Sequence, residues 1–298
     1  MNEIPTAPAV ETIAAPKVSE WRRFLRVFFQ RKLVIVGVAV ILIWVLTAIF
    51  APLIATYDPN VQNLKENLQP PSSQHWIGTD NMGRDVFSRL VYGTRTALYV
   101  GFGTVVISAI IGMILGLLAG YLGGVVNAII MRVMDALMGF PMLILALLLA
   151  AVLGGGLQNV IIALSIATIP GYTRLMCAET LSVRENEYVM AQKAIGSRSF
   201  RTMVRHVFPN AFQPLLVLIT TMIGNVILAE AGLSFIGIGI QPPGAAWGSM
   251  ASAGIRDLGT LPWLCFAPSL AIAVVVFAFN MVGDGLRDAL DPKLRGTL

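Results

Sequence analysis

The sequence predicts an all-α integral membrane protein with about six transmembrane helices. Of its 298 residues, 56% are hydrophobic and only 12% are charged, whereas a soluble domain carries roughly a quarter charged residues. Six apolar stretches are long enough, or nearly so, to cross a ~30 Å hydrocarbon core at 1.5 Å of rise per residue. The Lys and Arg residues are distributed unevenly between alternate loops, as they are in multi-pass proteins. A soluble fold could not hide this much apolar surface, and no stretch is left over for a soluble catalytic domain.

In chain order, residues 1–20 carry Pro5, Pro8 and Pro16 among Ala and Thr and read as a disordered tail. They lack the apolar core of a signal peptide. In residues 21–29, Trp21, Phe24, Leu25 and Phe28 share one helical face, with Arg22, Arg23 and Arg26 elsewhere. That is an interfacial helix, which anchors the first span or docks a partner. The spans fall at about 33–54, 96–120, 125–153, 157–176, 211–231 and 261–282. Gly112, Gly116 and Gly120 recur every four residues in the second, which predicts close packing against another helix. Pro141 and Pro170 interrupt the third and fourth and are expected to kink them.

With the N-terminus inside, sixteen Lys and Arg residues fall on the cytoplasmic side and five outside, so both ends are expected in the cytoplasm. The same clustering beside apolar spans accounts for the net charge of +5 without nucleic acid. Cys177 and Cys265 lie in different segments with no paired spacing and read as apolar fillers. His75 and His206 are too far apart in sequence to suggest a metal site.

The loop between the fourth and fifth spans, VRENEYVMAQKAIGSRSFRTMVRHVFPN (183–210), is too polar for lipid and too patterned for a linker. Tyr188, Ala191 and Ile195 share one helical face. Gly196 interrupts the pattern, and Phe200, Met203, Val204 and Val207 form a second face that Pro209 ends. Two short amphipathic helices joined at a glycine turn follow. They either transmit force from a soluble partner or only brace the bundle.

Ala191, Gly196 and Pro209 match the cytoplasmic loop signature of binding-protein-dependent ATP-binding-cassette importer permeases, which this sequence resembles. The usual Glu before the first Ala is Met190 here, the second Ala is Gln192, and the usual Ile and Leu near the end are His206 and Phe208. EYVMAQKAIG followed by RHVFPN is similar to the peptide branch. HWIGTDNMGRDVFSRLVYGTRTAL (75–98), AEAGLSFIGIGIQPPGAAWGSM (229–250) and FNMVGDGLRDALDPKLRG (279–296) resemble the C-type subunit of the dipeptide, oligopeptide and nickel permeases. The resemblance covers nearly the whole chain beyond residue 20. It implies a type I importer permease fold in which the loop is a coupling helix seated in a cleft of an ATPase subunit. Glu187, Tyr188, Ala191, Gly196, Arg205 and Pro209 are then the coupling residues. Residues 21–95 would hold the interfacial helix, first span and outer loop. Residues 96–284 would form the five-helix permease domain, and 285–298 a cytoplasmic tail.

The remaining charged residues leave alternatives open. Gly78, Gly83, Asp80 and Asn81 suggest tight turns. Asp80, Arg84, Asp85 and Arg89, with Arg95, either form an outer gate or docking face for an extracytoplasmic binding protein, or pair across the outer surface as a structural element. Trp247 in QPPGAAWG suggests an interfacial aromatic anchor. Arg132 and Asp135, three residues apart, are expected to pair. Glu230, near the outer end of the fifth span, is a candidate for the pathway or the outer gate, or is a snorkelling or ion-paired carboxylate. Asn280 and Asp284 are expected at the cytoplasmic end of the sixth span.

No GxxxxGK[ST] loop occurs, so ATP and its Mg would be bound by other chains, and no cofactor is expected here. The resemblance implies a second, B-type permease, two ATPase subunits and an extracytoplasmic binding protein as partners, with membrane lipid around them. The function so implied is one permease half of an ATP-driven peptide importer, not an enzyme. The same architecture carrying nickel, a metal chelate or glutathione is the alternative. A stand-alone secondary transporter is the reading from another class, and it would call for an inverted repeat.

Overall fold

The computed structural model describes residues 20–290, and within them every regular element is helical. The expected N-terminal tail and the end of the C-terminal tail lie outside the described residues. The elements in order are α1 (Glu20–Phe28), α2 (Lys32–Ile49), α3 (Ala51–Ile54), α4 (Val86–Leu122), α5 (Gly124–Met138), α6 (Met142–Leu153), α7 (Leu157–Arg184), α8 (Glu187–Ala194), α9 (Ser199–Thr202), α10 (Phe208–Ala211), α11 (Gln213–Ile236), α12 (Trp247–Gly254) and α13 (Trp263–Leu290). Five helices are long and apolar enough to cross a membrane, and α5 with α6 makes a sixth span bent by 88°.

In α1, Trp21 stacks on Phe24 and Phe24 on Phe28, with ring centroids 5.6 and 5.8 Å apart, so the aromatic face expected of an interfacial helix is formed. Arg31 pairs with Asp288 at 2.9 Å, which ties the start of α2 to the last turns of α13. Both described chain ends therefore sit at one end of the bundle, the end that also carries residues 185–212. The opposite end is capped by residues 55–85 and 237–262.

The span boundaries depart from hydropathy in informative ways. The second helix starts at Val86, well before residue 96, because its polar first turns, with Arg89 and Arg95, are buried in the cap. At 1.5 Å per residue its 37 residues reach roughly 55 Å, far longer than the hydrocarbon core. Pro141 lies between α5 and α6, where its missing N–H and fixed φ break the helix outright. Pro170 is carried inside the continuous α7. Asn280 and Asp284 lie within α13, which runs on to Leu290.

The seam between α4 and α7 organises the bundle. A Cβ on Gly112 would lie 2.5 Å from Tyr172 Cβ, and one on Gly120 would lie 2.7 Å from Thr180 Cβ. A Cβ on Gly116 would strike the Thr173 carbonyl. These three glycines let the two backbones meet, as their spacing predicts. Close approach matters in lipid because hydrocarbon gives helices no hydrophobic reason to associate, leaving contact packing to hold them. Above the seam, Val100, Val105, Val160, Leu164, Val226, Ile227 and Leu233 form a buried core shared by α4, α7 and α11.

Gly116→Leu should force the seam apart and lower stability by about 1–3 kcal/mol, the usual cost of overpacking. Thermal unfolding in detergent would show this as a lower midpoint. A midpoint equal to wild type would mean the seam has slack that the geometry does not show.

Candidate functional site

The sequence-derived residues fall into three places: the cap, the opposite-end loop and one buried position in α11.

In the cap, Asp80 closes a turn by accepting from the backbone N–H groups of Met82 and Arg84 at 2.8 and 3.0 Å, and from Arg84 Nε at 2.7 Å. Gly78 and Gly83 take positive φ values of +80° and +69° in this turn, which only glycine adopts without strain. Asp85 is the N-cap of α4. Its Oδ2 accepts from the Ser88 N–H at 2.7 Å and the Ser88 hydroxyl at 2.6 Å. Its Oδ1 lies 2.9 Å from His75 Nδ1, and Tyr57 stacks on that imidazole with centroids 4.8 Å apart. Arg89, only 3% exposed, donates from Nη1 to the Pro59 carbonyl at 2.8 Å and reaches the Pro243 and Gly244 carbonyls at 3.3 Å. One guanidinium thus holds together the loop before α4 and the loop after α11. Trp247 donates its indole N–H to the Leu90 carbonyl at 3.0 Å, and Gly93 leaves room for the ring.

Two expectations are corrected here. The charges from Asp80 to Arg95 do not pair across an outer surface. Arg84, Asp85 and Arg89 are buried, and Arg95 donates to the Ala48 carbonyl at 2.8 Å, because backbone carbonyls rather than carboxylates accept most of the guanidinium protons. Trp247 is not an interfacial anchor. It is buried under the cap, since its N–H finds an acceptor inside. A cavity of about 190 Å³ lies beside this network, lined by Asp80, Arg84, Arg89, Ser249 and Asp257.

At the other end, α8 stops in a tight turn. The Ser197 N–H bonds to the Gln192 carbonyl at 3.0 Å across Gly196, whose φ is +78°. This is a glycine-capped helix end, which explains the break in the sequence pattern. The chain then passes through α9 and a π-helical turn, Met203–Val207, into α10. Pro209 sits in the first turn of α10 and does not end a helix there. It has no N–H to give to the carbonyl four residues back, and the Phe208 N–H bonds five residues back to Met203.

Val189, Met203 and Val207 turn inward and pack with Leu117, Met176 and Leu215. The face shared by Tyr188, Ala191 and Ile195 turns outward instead, with Ile195 76% and Phe200 73% exposed. Glu187, Arg205 and Pro209 are also exposed. The loop is therefore a folded, anchored plate with apolar side chains set among Arg198, Arg201 and Arg205 on its free face.

Glu230 lies apart from both groups. It is 2% exposed, and its Oε1 accepts from the Ser234 hydroxyl at 2.6 Å. Ser234 Oγ in turn accepts from the Ile240 N–H at 3.0 Å, which holds the turn after α11. Glu230 thus neither snorkels nor lines an open surface, and among the described residues it has no ion-pair partner.

Sequence reasoning missed His75 as a partner of Asp85, because ten intervening residues hide the contact. It also paired Asp135 with Arg132. In the structure Asp135 pairs with Arg174 of α7, since α5 and α7 lie side by side there. The available signal was a lone arginine inside the fourth apolar stretch. Among the described residues, no group of three or more His, Cys, Asp or Glu side chains is arranged to hold a metal.

Residues 112–296 match the family described as binding-protein-dependent transport system inner membrane component, and residues 19–71 match the N-terminal transmembrane domain of oligopeptide transport permease C. The dipeptide transport system permease protein DppC of Alkalihalophilus pseudofirmus is 43% identical over 278 residues, 93% of this chain and 91% of that protein. The oligopeptide transport system permease protein OppC of Bacillus subtilis is 40% identical over 285 residues, 96% and 93% of the two chains. The glutathione transport system permease protein GsiD of Escherichia coli is 40% identical over 277 residues, 93% and 91%. Among solved structures, the MetNI methionine ABC transporter in inward-facing conformations superposes with a TM-score of 0.54 at 18% identity, covering 68% of this chain and 96% of that chain. At that identity the likeness speaks for the fold.

Arg89→Lys keeps the charge but loses the planar fork, so one ammonium cannot serve carbonyls on both loops. Stability should fall by about 1.5–3 kcal/mol, and residues 55–85 should become sensitive to protease added on their side of the membrane. A cap as resistant as wild type would show that Arg89 does not hold the loops together.

Proposed function

The chain belongs to the binding-protein-dependent transport system inner membrane components, and from that premise we propose that it is one permease half of an ATP-driven peptide importer. It is a multi-pass protein of the inner membrane with the fold of an importer permease. The observation that carries the proposal is the folded plate of residues 185–212. It is anchored on α4, α7 and α11 through Val189, Met203 and Val207, and it offers Tyr188, Ile195 and Phe200 to a partner.

A chain with no nucleotide-binding loop needs its energy delivered from outside, and a plate rigidly joined to three spanning helices delivers it. In this reading, two ATPase subunits bind ATP and Mg, and the plate seats in a cleft of one of them. Glu187, Tyr188, Ala191, Gly196, Arg205 and Pro209 form or shape the contact. Closure of the ATPases drives alternating access by rocking one rigid half against the other. A second, B-type permease completes the pathway, and an extracytoplasmic binding protein delivers the substrate to the cap. The chain performs no chemistry of its own.

The side preference of Lys and Arg places both termini and the plate in the cytoplasm. The names of the dipeptide and oligopeptide relatives support a peptide substrate. The glutathione relative at similar identity favours a second reading, a small thiol peptide carried by the same architecture.

Gentle-detergent purification from the native membrane, followed by mass spectrometry, should recover a second permease and ATPase subunits. Recovery of this chain alone, active in liposomes without ATP, would instead support a secondary transporter. Gly196→Val places a branched side chain at positive φ, where it costs about 1–2 kcal/mol of backbone strain. Uptake should fall severalfold while membrane insertion persists. Uptake per ATP equal to wild type would refute the coupling role.

A further inference from the structure

The ion pair between Asp135 and Arg174 has no role in the cap or the plate, and its position is unusual. Arg184 donates to the Gly120 and Tyr121 carbonyls at 3.0 and 3.3 Å, so the plate-side ends of α4 and α7 are level, and α5 starts from that level at Gly124. Arg174 lies roughly 15 Å of helix before Arg184, and Asp135 roughly 16 Å beyond Gly124. Both charges therefore sit near half depth of a ~30 Å core. Yet their side chains are 49% and 48% exposed. Charged groups at that depth face a water-filled cavity or the protein interior, not lipid.

A second observation points the same way. Directly after Asp135 the helix breaks at Gly139–Phe140–Pro141 with the 88° bend, and these three residues are exposed. Broken backbone at membrane depth is tolerated only where it is buried in protein or lines water. On α7 the exposed residues Gly171, Arg174 and Ala178 share one face, and a Cβ on Gly171 would meet open space. Arg132, exposed one turn from Asp135, adds a second cation to this face.

We infer that Asp135 and Arg174 face the water-filled pathway and form a two-signed binding site for the ammonium and carboxylate ends of a zwitterionic solute. The pair opens as the solute arrives, each charge exchanging its partner for the opposite charge of the solute, and re-forms after it leaves. The identity of the solute rests on the peptide-importer reading. The placement in water does not.

The test uses the whole assembly with its binding protein in proteoliposomes. In a background with Cys177→Ala and Cys265→Ala, the variants Arg174→Cys and Ala178→Cys are treated with the impermeant reagent sodium (2-sulfonatoethyl)methanethiosulfonate. Both should react at least tenfold faster than Cys177 does in the unaltered chain, and the dipeptide Ala-Phe supplied during turnover should slow the reaction. Uptake of radiolabelled Ala-Phe, or of glutathione as a second zwitterion, should fall at least tenfold in Asp135→Asn and in Arg174→Gln with subunit recovery unchanged. The exchanged pair, Asp135→Arg with Arg174→Asp, should not restore it, because the site then presents each charge to the wrong end of the solute. Full restoration by the exchange would reduce the pair to a structural bridge and overturn the inference. Absence of labelling with normal uptake would overturn it while leaving the peptide reading intact. Labelling without uptake of either zwitterion would leave the pair in water but refute the substrate contact and the peptide reading together.

Discussion

The bundle depends on how closely α4 and α7 approach. Two helices in hydrocarbon gain nothing from hiding apolar surface from one another, so their association rests on contact area and on short backbone separation. Gly112, Gly116 and Gly120 provide both, by letting Tyr172, Thr173, Met176 and Thr180 press against bare backbone. Once this pair is fixed, α11 packs over it through Ile223, Val226 and Ile227, and α13 over α11. Arg184, at the foot of the same seam, reaches across to the last carbonyls of α4 and holds the two ends level.

The two ends of the bundle use different physics. The cap is a polar network in which charged groups are consumed internally. Asp85 starts a helix, Arg89 ties two loops through carbonyls, and Asp80 shapes a turn. The plate consumes almost no polar groups and is held by three inward apolar side chains. A docking surface needs spare side chains on its free face, and the plate keeps them, whereas the cap leaves few. That difference favours the plate as the place where a soluble partner acts on this chain.

Much of this was legible in the sequence, because lipid imposes long apolar runs and small-residue seams that a linear reading detects. The interfacial aromatic face of α1, the glycine seam and the glycine turn at Gly196 all follow from short-range spacing. What stayed hidden was set by contacts between distant segments. Hydropathy started the second span late because Arg89 and Arg95 look like water-facing residues, although carbonyls from other loops accept their protons. Trp247 looked like a membrane anchor because nothing local revealed the Leu90 carbonyl that receives its N–H. Asp135 looked satisfied by Arg132, because helical spacing names a near neighbour and cannot show a residue on α7. The outward turn of Tyr188 and Ile195 was unreadable for a related reason. An apolar face has the same periodicity whether it meets its own bundle or a different chain.

The length of α4 has a mechanical meaning. Its roughly 55 Å run from the Asp85 cap to Gly123 contains no proline and no internal break. The first turns are clamped in the polar cap and the last turns are bolted to α7 beside the plate. Such a rod has no joint in which a displacement can be absorbed. A tilt imposed at one face of the membrane therefore reappears at the other, opposite in direction about the point where the glycines pivot on α7. In this protein the two faces are geared to each other by a single continuous lever.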